Sequence, residues 1–155
     1  MTKYSKIQKE FETIFVGEAL EDLRKMITGK LMMSYGAATW DYAPIHYDVS
    51  TARTLGFRGP IADGQMFGAF LIQLVQNWAG HYAYINKLSF QNKNVVYAGD
   101  EIICKGYVQE KNVAQRIVVC RLWIENQNNH LATQSLKGNG GTTTINKPKL
   151  WCFRT

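Results

Sequence analysis

Asp41 and His46 are the residues whose types and spacing most clearly permit chemistry. They lie five residues apart in the segment Asp41–Asp48, with Pro44 between them to stiffen the link. A carboxylate and an imidazole are both effective proton-transfer groups near neutral pH. Taken alone, such a pair in a loop is more often a hydrogen-bonded structural pair than a functional one. His46 and Asp48 also have a spacing found in metal sites, but no further ligands cluster around them, so we predict no metal site.

A possible oxyanion site follows at Gly64, eighteen residues after His46 and at the head of a predicted helix. The first backbone N–H groups of a helix have no helical acceptor and carry partial positive charge, which suits a developing oxyanion. Glycine would let a substrate carbonyl approach the backbone closely. The structural alternative is that Asp63 caps the helix and Gly64 only permits the turn. Considered together, an acid–base pair and an oxyanion site meet the needs of reversible water addition to an α,β-unsaturated thioester.

The helix that would present Gly64 is predicted from the apolar spacing within Pro60–Trp78, with Gly80 as its stop. Its apolar residues cover most of the circumference and leave a polar edge of Gln65, Gln73, Gln76 and Asn77. A helix of this kind is normally buried, and we expect a sheet to wrap around it. After it the hydrophobic period drops to two, which predicts an antiparallel meander of four strands over Tyr84–Tyr97, Glu101–Gln109, Val113–Asn126 and Leu131–Lys137. This is an α+β layout.

The remaining segments have weaker patterns, and residues 1–155 are predicted to form a single domain. Residues 1–30 are predicted as an irregular lead-in whose Phe11, Ile14, Phe15 and Val16 pack across the core. A helix-like turn is expected at Leu31–Ala37, and Ala38–Gly59 is expected to be a functional loop without regular structure. Residues 138–155 form a tail whose Trp151 and Phe153 are expected to dock on this subunit or a partner.

The segment from Ala38 to Asp48, with Ala52 and the run Gly56–Gly64, resembles the hydratase motif of the MaoC-like hotdog family. That family contains (R)-specific enoyl-CoA hydratases and 3-hydroxyacyl thioester dehydratases. Weaker matches at Phe11–Glu18 and Val96–Asp100 extend the resemblance over roughly Phe11 to Lys137. It implies a hotdog fold, in which an antiparallel β-sheet wraps around one long central helix.

The resemblance also implies roles for individual residues. Asp41 would hold and activate the water, His46 would share it and help pass the proton, and the Gly64 amide would polarise the thioester carbonyl. Two positions depart from the family pattern, because Ala43 stands where asparagine is usual and Asp63 where histidine is usual. The residues expected around the substrate are Trp40, Tyr42, Tyr47, Pro60, Asp63 and Gln65.

The resemblance implies no metal or redox cofactor, an acyl group carried on coenzyme A or a carrier protein, and at least a dimer, whose partner is a second copy or a paralogue. Two alternatives are an acyl-CoA thioesterase and a non-catalytic acyl-CoA-binding subunit of a heteromeric hydratase.

Composition narrows the classes of protein further. The net charge of +6 comes from scattered basic residues without the dense stripe that follows nucleic acid, so no nucleic-acid partner is expected. No stretch approaches the roughly 20 apolar residues that cross a bilayer, and Met1–Glu10 lacks a signal-peptide pattern, which predicts a cytoplasmic protein without a membrane partner. Cys104 and Cys120 lie in strand-like runs and are expected to pack in the core as free thiols. His81 and His130 are expected in surface turns.

Overall fold

The computed structural model describes residues 8–80, 82–135 and 143–146, the last of these for the backbone only. Within these residues lie three α-helices, α1 (Gly29–Thr39), α2 (Val49–Thr54) and α3 (Gly64–Ala79). Short 3₁₀-helices cover Phe11–Thr13 and Pro44–His46. Seven strands complete the described fold, namely β1 (Leu23–Met26), β2 (Tyr84–Lys87), β3 (Phe90–Asn92), β4 (Glu101–Asn112), β5 (Ile117–Asn126), β6 (Leu131–Ser135) and β7 (Thr143–Asn146).

The sheet is antiparallel and is organised around β5. Strand β4 pairs along one whole edge of β5, whereas β7 and β6 share the other edge, β7 beside Ile117–Cys120 and β6 beside Trp123–Glu125. Strand β1 extends the sheet beyond β4, β3 extends it beyond β6, and β2 pairs with β7. The predicted meander therefore holds for β4, β5 and β6, whereas β1, β2 and β3 pair with strands that are not next to them in the sequence.

Helix α3 is covered by this sheet, as its apolar circumference predicts. Alternate residues of β4 and β5 are buried and belong to the same core cluster as the helix. The buried helix residues are Met66, Phe67, Gly68, Phe70, Leu71, Leu74, Val75 and Ala79. Gln76 and Asn77 on the predicted polar edge are exposed. The α+β prediction, with one long helix inside an antiparallel sheet, is confirmed.

The region before α3 contains more helix than its pattern predicts. The expected turn at Leu31–Ala37 is the middle of the longer α1, whose start is capped by Thr28. The prediction that Ala38–Gly59 lacks regular structure is wrong, because it contains a 3₁₀-helix and α2. The side chain of Asp48 accepts a hydrogen bond from the Thr51 N–H at 2.6 Å and so begins α2.

Several strand boundaries also differ from the prediction. The run Tyr84–Tyr97 divides into β2 and β3, which pair with different neighbours. Strand β4 continues through the turn predicted at residues 110–112, and the chain reverses at Val113–Arg116 instead. The two short strands β1 and β7 lie in the segments that were predicted to be irregular lead-in and tail.

The lead-in does reach the core, although through fewer residues than predicted. Phe11 and Ile14 are buried in the cluster around α3, whereas Phe15 and Val16 are more than half exposed. Cys104 and Cys120 are fully buried as free thiols, as expected. The expectations for His81, Trp151 and Phe153 fall outside the described residues. No helix among the described residues is long and apolar enough to cross a membrane.

Candidate active site

Asp41 lies directly after α1, at a point where the backbone reverses. Trp40 ends the helix in the left-handed conformation with φ of 60°, and the Asp41 N–H donates to the Gly36 carbonyl at 3.0 Å. The Asp41 Oδ1 then accepts a hydrogen bond from the Ala43 N–H at 3.1 Å. This local bond fixes the carboxylate and leaves its second oxygen, Oδ2, available to other groups.

His46 is held by a backbone carbonyl on the neighbouring segment. Its Nδ1 lies 2.7 Å from the Ile61 carbonyl oxygen, and the Ile61 N–H in turn donates to the Ile45 carbonyl. Because a carbonyl oxygen can only accept, Nδ1 carries the proton, and in the neutral ring Nε2 is left as an acceptor. The imidazole side chain is only 18% exposed, so its orientation is well constrained.

The structure brings the two predicted proton-transfer groups together. His46 Nε2 lies 3.8 Å from Asp41 Oδ2, which is too long for a direct hydrogen bond. Two acceptors at this separation are suited to share the two O–H groups of one water molecule. The side chain of Asp41 is 41% exposed, so the pair remains accessible from the surface.

Asp63 joins this pair from the start of α3. Its Oδ1 accepts a hydrogen bond from the Gln65 N–H at 2.8 Å, which confirms that it caps the helix. Its carboxylate also lies within 4.8 Å of the ligand atoms of Asp41 and His46. These three groups could together offer three ligand atoms to a divalent cation, which sequence analysis did not anticipate.

The three groups line one small cavity with residues from α1 and α3. Its other lining residues are Met32, Tyr35, Gly36 and Met66. Burial raises the pKa of the Tyr35 phenol, and the nearby carboxylates of Asp63 and Asp41 raise it further. Tyr35 therefore stays protonated at neutral pH and can donate a hydrogen bond into the cavity. Tyr35 was not among the predicted site residues, because only the position of α1 brings it to this site.

Gly64 lies beside the cavity and faces two clefts between α3 and β3. Its N–H is the first of the helix and has no acceptor among the described residues. The larger cleft, with a volume of about 500 Å³, is lined by Asp63, Gly64, Gln65, Leu88, Ser89, Phe90 and Asn92. Asp63 thus borders both this cleft and the cavity, which makes it the link between them.

Four of the residues predicted near the substrate do not line the cavity or the two clefts. Trp40 is 84% exposed and packs edge-to-face with Tyr42, and the Tyr47 hydroxyl donates to the Tyr42 carbonyl. Neither these three aromatic residues nor Pro60 lines the cavity or the clefts at Gly64. Within the described part of the chain, the aromatic residues form an exposed apolar surface next to the site.

Comparison with known proteins shows the family of the chain. The model of the family described as "MaoC like domain" matches residues 13–128. The chain belongs to the MaoC-like family. A mitochondrial 3-hydroxyacyl-[acyl-carrier-protein] dehydratase of Arabidopsis thaliana is 27% identical over 94 residues, which are 61% of this chain and 54% of that protein. The chain thus spans about half the length of this curated relative.

Solved structures of MaoC-like and related proteins share the fold. The (R)-hydratase from A. caviae involved in PHA biosynthesis superposes with a TM-score of 0.79 at 23% identity, covering 88% of this chain and 99% of that one. The ChsH1–ChsH2 complex from Mycobacterium tuberculosis gives a TM-score of 0.76 at 20% identity, covering 86% and 98%. These likenesses confirm the hotdog fold predicted from the sequence.

Proposed function

We propose that this protein catalyses reversible hydration of a 2-enoyl thioester to the 3-hydroxyacyl thioester. The observation that carries the proposal is the placement of Asp41 Oδ2 and His46 Nε2, 3.8 Å apart, in one cavity with Asp63. Gly64 follows Asp63, and its N–H has no acceptor among the described residues. Family membership supports it, as does the likeness to a 3-hydroxyacyl dehydratase and an (R)-hydratase.

The proposed reaction begins with a water molecule that donates hydrogen bonds to Asp41 Oδ2 and His46 Nε2. The Nδ1 bond to the Ile61 carbonyl keeps Nε2 as the acceptor and stabilises the ring once it becomes charged. As the water oxygen bonds to the β-carbon, its proton passes to the pair. Electrons move to the thioester oxygen, where the Gly64 N–H stabilises the enolate. The α-carbon then takes a proton from the pair, which returns both groups to their starting state.

Water addition neither oxidises nor reduces the substrate overall, so the proposed reaction requires no redox cofactor. The acyl group would arrive on coenzyme A or on a carrier protein, since both kinds of thioester place the same carbonyl at Gly64. The Asp41, His46 and Asp63 cluster makes a chelator control necessary in every assay, because a bound cation would occupy the groups that must hold the water.

We further propose that the protein works as a dimer or with a paralogous subunit. The exposed Trp40, Tyr42 and Tyr47 give the region next to the site an apolar surface that a second subunit would cover. A structural relative is found in the two-component ChsH1–ChsH2 complex. Light scattering of the purified protein will measure its assembly state, and a monomer that is fully active alone would contradict this proposal.

The test of function compares wild type with Asp41→Asn and Asp48→Asn. Asparagine at position 41 keeps the shape but cannot take the water's proton, so hydration of 2-enoyl thioesters should fall by about 1,000-fold or more. Asp48 lies in the same loop and caps α2, a role that asparagine also fills, so Asp48→Asn should stay near wild type. Loss of enoyl absorbance reports hydration, and free thiol release reports hydrolysis.

Near-normal hydration by Asp41→Asn would refute the mechanism. Thiol release without loss of a 2-enoyl group would favour the thioesterase alternative. Binding without turnover across short, medium and branched enoyl thioesters would favour the non-catalytic subunit.

A further inference from the structure

Strand β3 packs directly against the backbone at the start of α3. A Cβ atom at Gly64 would overlap the Asn92 side-chain nitrogen, and one at Gly68 would lie 2.7 Å from the Phe90 ring. Gly64 and Gly68 share one face of the helix, four residues apart, and Phe90 and Asn92 share one face of the strand, two residues apart. The two glycines therefore form a slot that admits the inward side chains of β3, and Asn92 fills its outer end.

The amide of Asn92 is anchored through its oxygen. The hydroxyl of Thr133, which is fully buried, donates to Asn92 Oδ1 at 2.8 Å. The two residues are direct cross-strand partners in the β3–β6 pair, so the anchor comes from the core of the sheet. With Oδ1 engaged, the nitrogen Nδ2 is the amide atom turned toward Gly64.

The side-chain N–H groups of Asn92 have no acceptor among the described residues. Asn92 is exposed and lines both clefts that Gly64 faces. Unpaired side-chain donors therefore lie beside the unpaired backbone donor at the helix start. Such a pair can serve one acceptor oxygen that enters between α3 and β3.

The position of the proton-transfer pair identifies that oxygen. Asp63 borders both the Asp41–His46 cavity and the cleft containing Asn92. A thioester whose β-carbon is held at Asp41 and His46 would extend past Asp63 into this cleft. Its carbonyl group would then lie beside Gly64 and Asn92.

We propose that Asn92 Nδ2 donates a hydrogen bond to the thioester carbonyl, as a second donor beside the Gly64 N–H. This inference rests on the proposed function, since it concerns the carbonyl of the same substrate. A side-chain donor already anchored by Thr133 requires little reorganisation as negative charge develops on the carbonyl oxygen, so its effect is larger in the transition state than in the bound substrate.

Kinetics of three variants form the first half of the test. Asn92→Ala should lower kcat for hydration about 100-fold while KM changes little. Asn92→Asp keeps the side-chain size and the oxygen that accepts from Thr133, but it has no N–H to donate. It should therefore lose at least as much activity as Asn92→Ala. Such a loss without a change in side-chain size would not be explained by altered packing of β3. Gln91→Ala, on the opposite face of β3, is the matched control and should keep wild-type kcat.

Carbonyl polarisation forms the second half. An Asp41→Asn background prevents turnover, and a bound dienoyl thioester should absorb at longer wavelength than the free ligand because its carbonyl is polarised. Adding Asn92→Ala should remove much of that shift while the thioester still binds. This readout does not depend on hydration, so an inactive wild type would refute the proposed function and leave the Asn92 contact open to measurement.

Values of kcat within twofold of wild type for both Asn92 variants would overturn the inference. It would equally be overturned by a loss of kcat with an unchanged absorbance shift, because Asn92 would then act only through the packing of β3.

Discussion

Replacing Asp63 with asparagine isolates the effect of a negative charge beside the proposed oxyanion site. The Asp63 carboxylate caps α3 through Oδ1 and lies within 4.8 Å of the ligand atoms of Asp41 and His46. Asparagine keeps a side-chain oxygen for the Gln65 N–H and caps helices as well as aspartate does. The substitution therefore removes the charge and leaves the start of the helix in place.

The expected gain follows from Coulomb's law. An enolate oxygen at Gly64 would lie about 5 Å from the Asp63 carboxylate, where two unit charges repel by ~0.8 kcal/mol in water and ~3 kcal/mol at a dielectric constant of 20. Asp63 is partly exposed, so screening favours the lower part of this range. A relief of ~1 kcal/mol in the transition state corresponds to a rise in kcat of about fivefold.

Steady-state hydration of a 2-enoyl thioester by wild type and Asp63→Asn measures this gain, and thermal unfolding checks that the fold is retained. Asp63→Ala is the control for the cap and should lose ~1 kcal/mol of stability. A fall in kcat of tenfold or more for Asp63→Asn, with an unchanged melting temperature, would show that the ionised carboxylate takes part in proton transfer and does not merely repel the enolate.

Two further predictions concern the sheet. Burial raises the pKa of the Cys104 and Cys120 thiols to about 12, so in a Cys152→Ser variant neither should react with a thiol reagent until the protein unfolds; rapid labelling of the native protein would contradict their burial. The hydrogen bond from Lys105 lowers the pKa of the Glu125 carboxyl, burial opposes this, and the Trp123 N–H lowers it further. The pKa of Glu125 in the folded protein lies below its unfolded value near 4.5. The ionised carboxylate therefore stabilises the folded protein above pH 4.5, and this stabilisation is lost as the pH falls through the pKa of the folded state. Glu125→Gln should therefore lower the free energy of unfolding by ~1 kcal/mol at neutral pH but not at low pH, with the partly exposed Glu101→Gln as control; a pH-independent difference would count against it.

The central helix and the proton-transfer pair could be predicted because their signals are local. The apolar spacing of α3 extends over four turns, and Asp63 and Gly80 mark its ends by their types. Asp41 and His46 lie in one short loop, so the backbone alone keeps them close. Helix α2, which the prediction for Ala38–Gly59 did not include, also has a local signal, because Asp48 is a residue type that caps helices.

Tyr35 and Asn92 could not be found in the same way. Tyr35 reaches the cavity only because α1 packs beside α3, and no residue near it in sequence indicates that contact. The position of Asn92 is fixed by the pairing of β3 with β6 and by the glycine face of α3. These contacts bring together residues 64, 92 and 133, which are far apart in the sequence. Strands β1 and β7 were missed because each has only four residues and depends on its partner strand for its conformation.

In the proposed reaction, the pair at Asp41 and His46 delivers a water molecule to the β-carbon of an intact thioester. Turnover of a 2-enoyl thioester in water labelled with heavy oxygen, followed by mass spectrometry of the product, tests this delivery. The label should appear in the 3-hydroxyl group of an unbroken thioester, formed by wild type and Asp48→Asn but not by Asp41→Asn. Label in a released carboxylate, or equal labelling of the 3-hydroxyl group by Asp41→Asn, would contradict it.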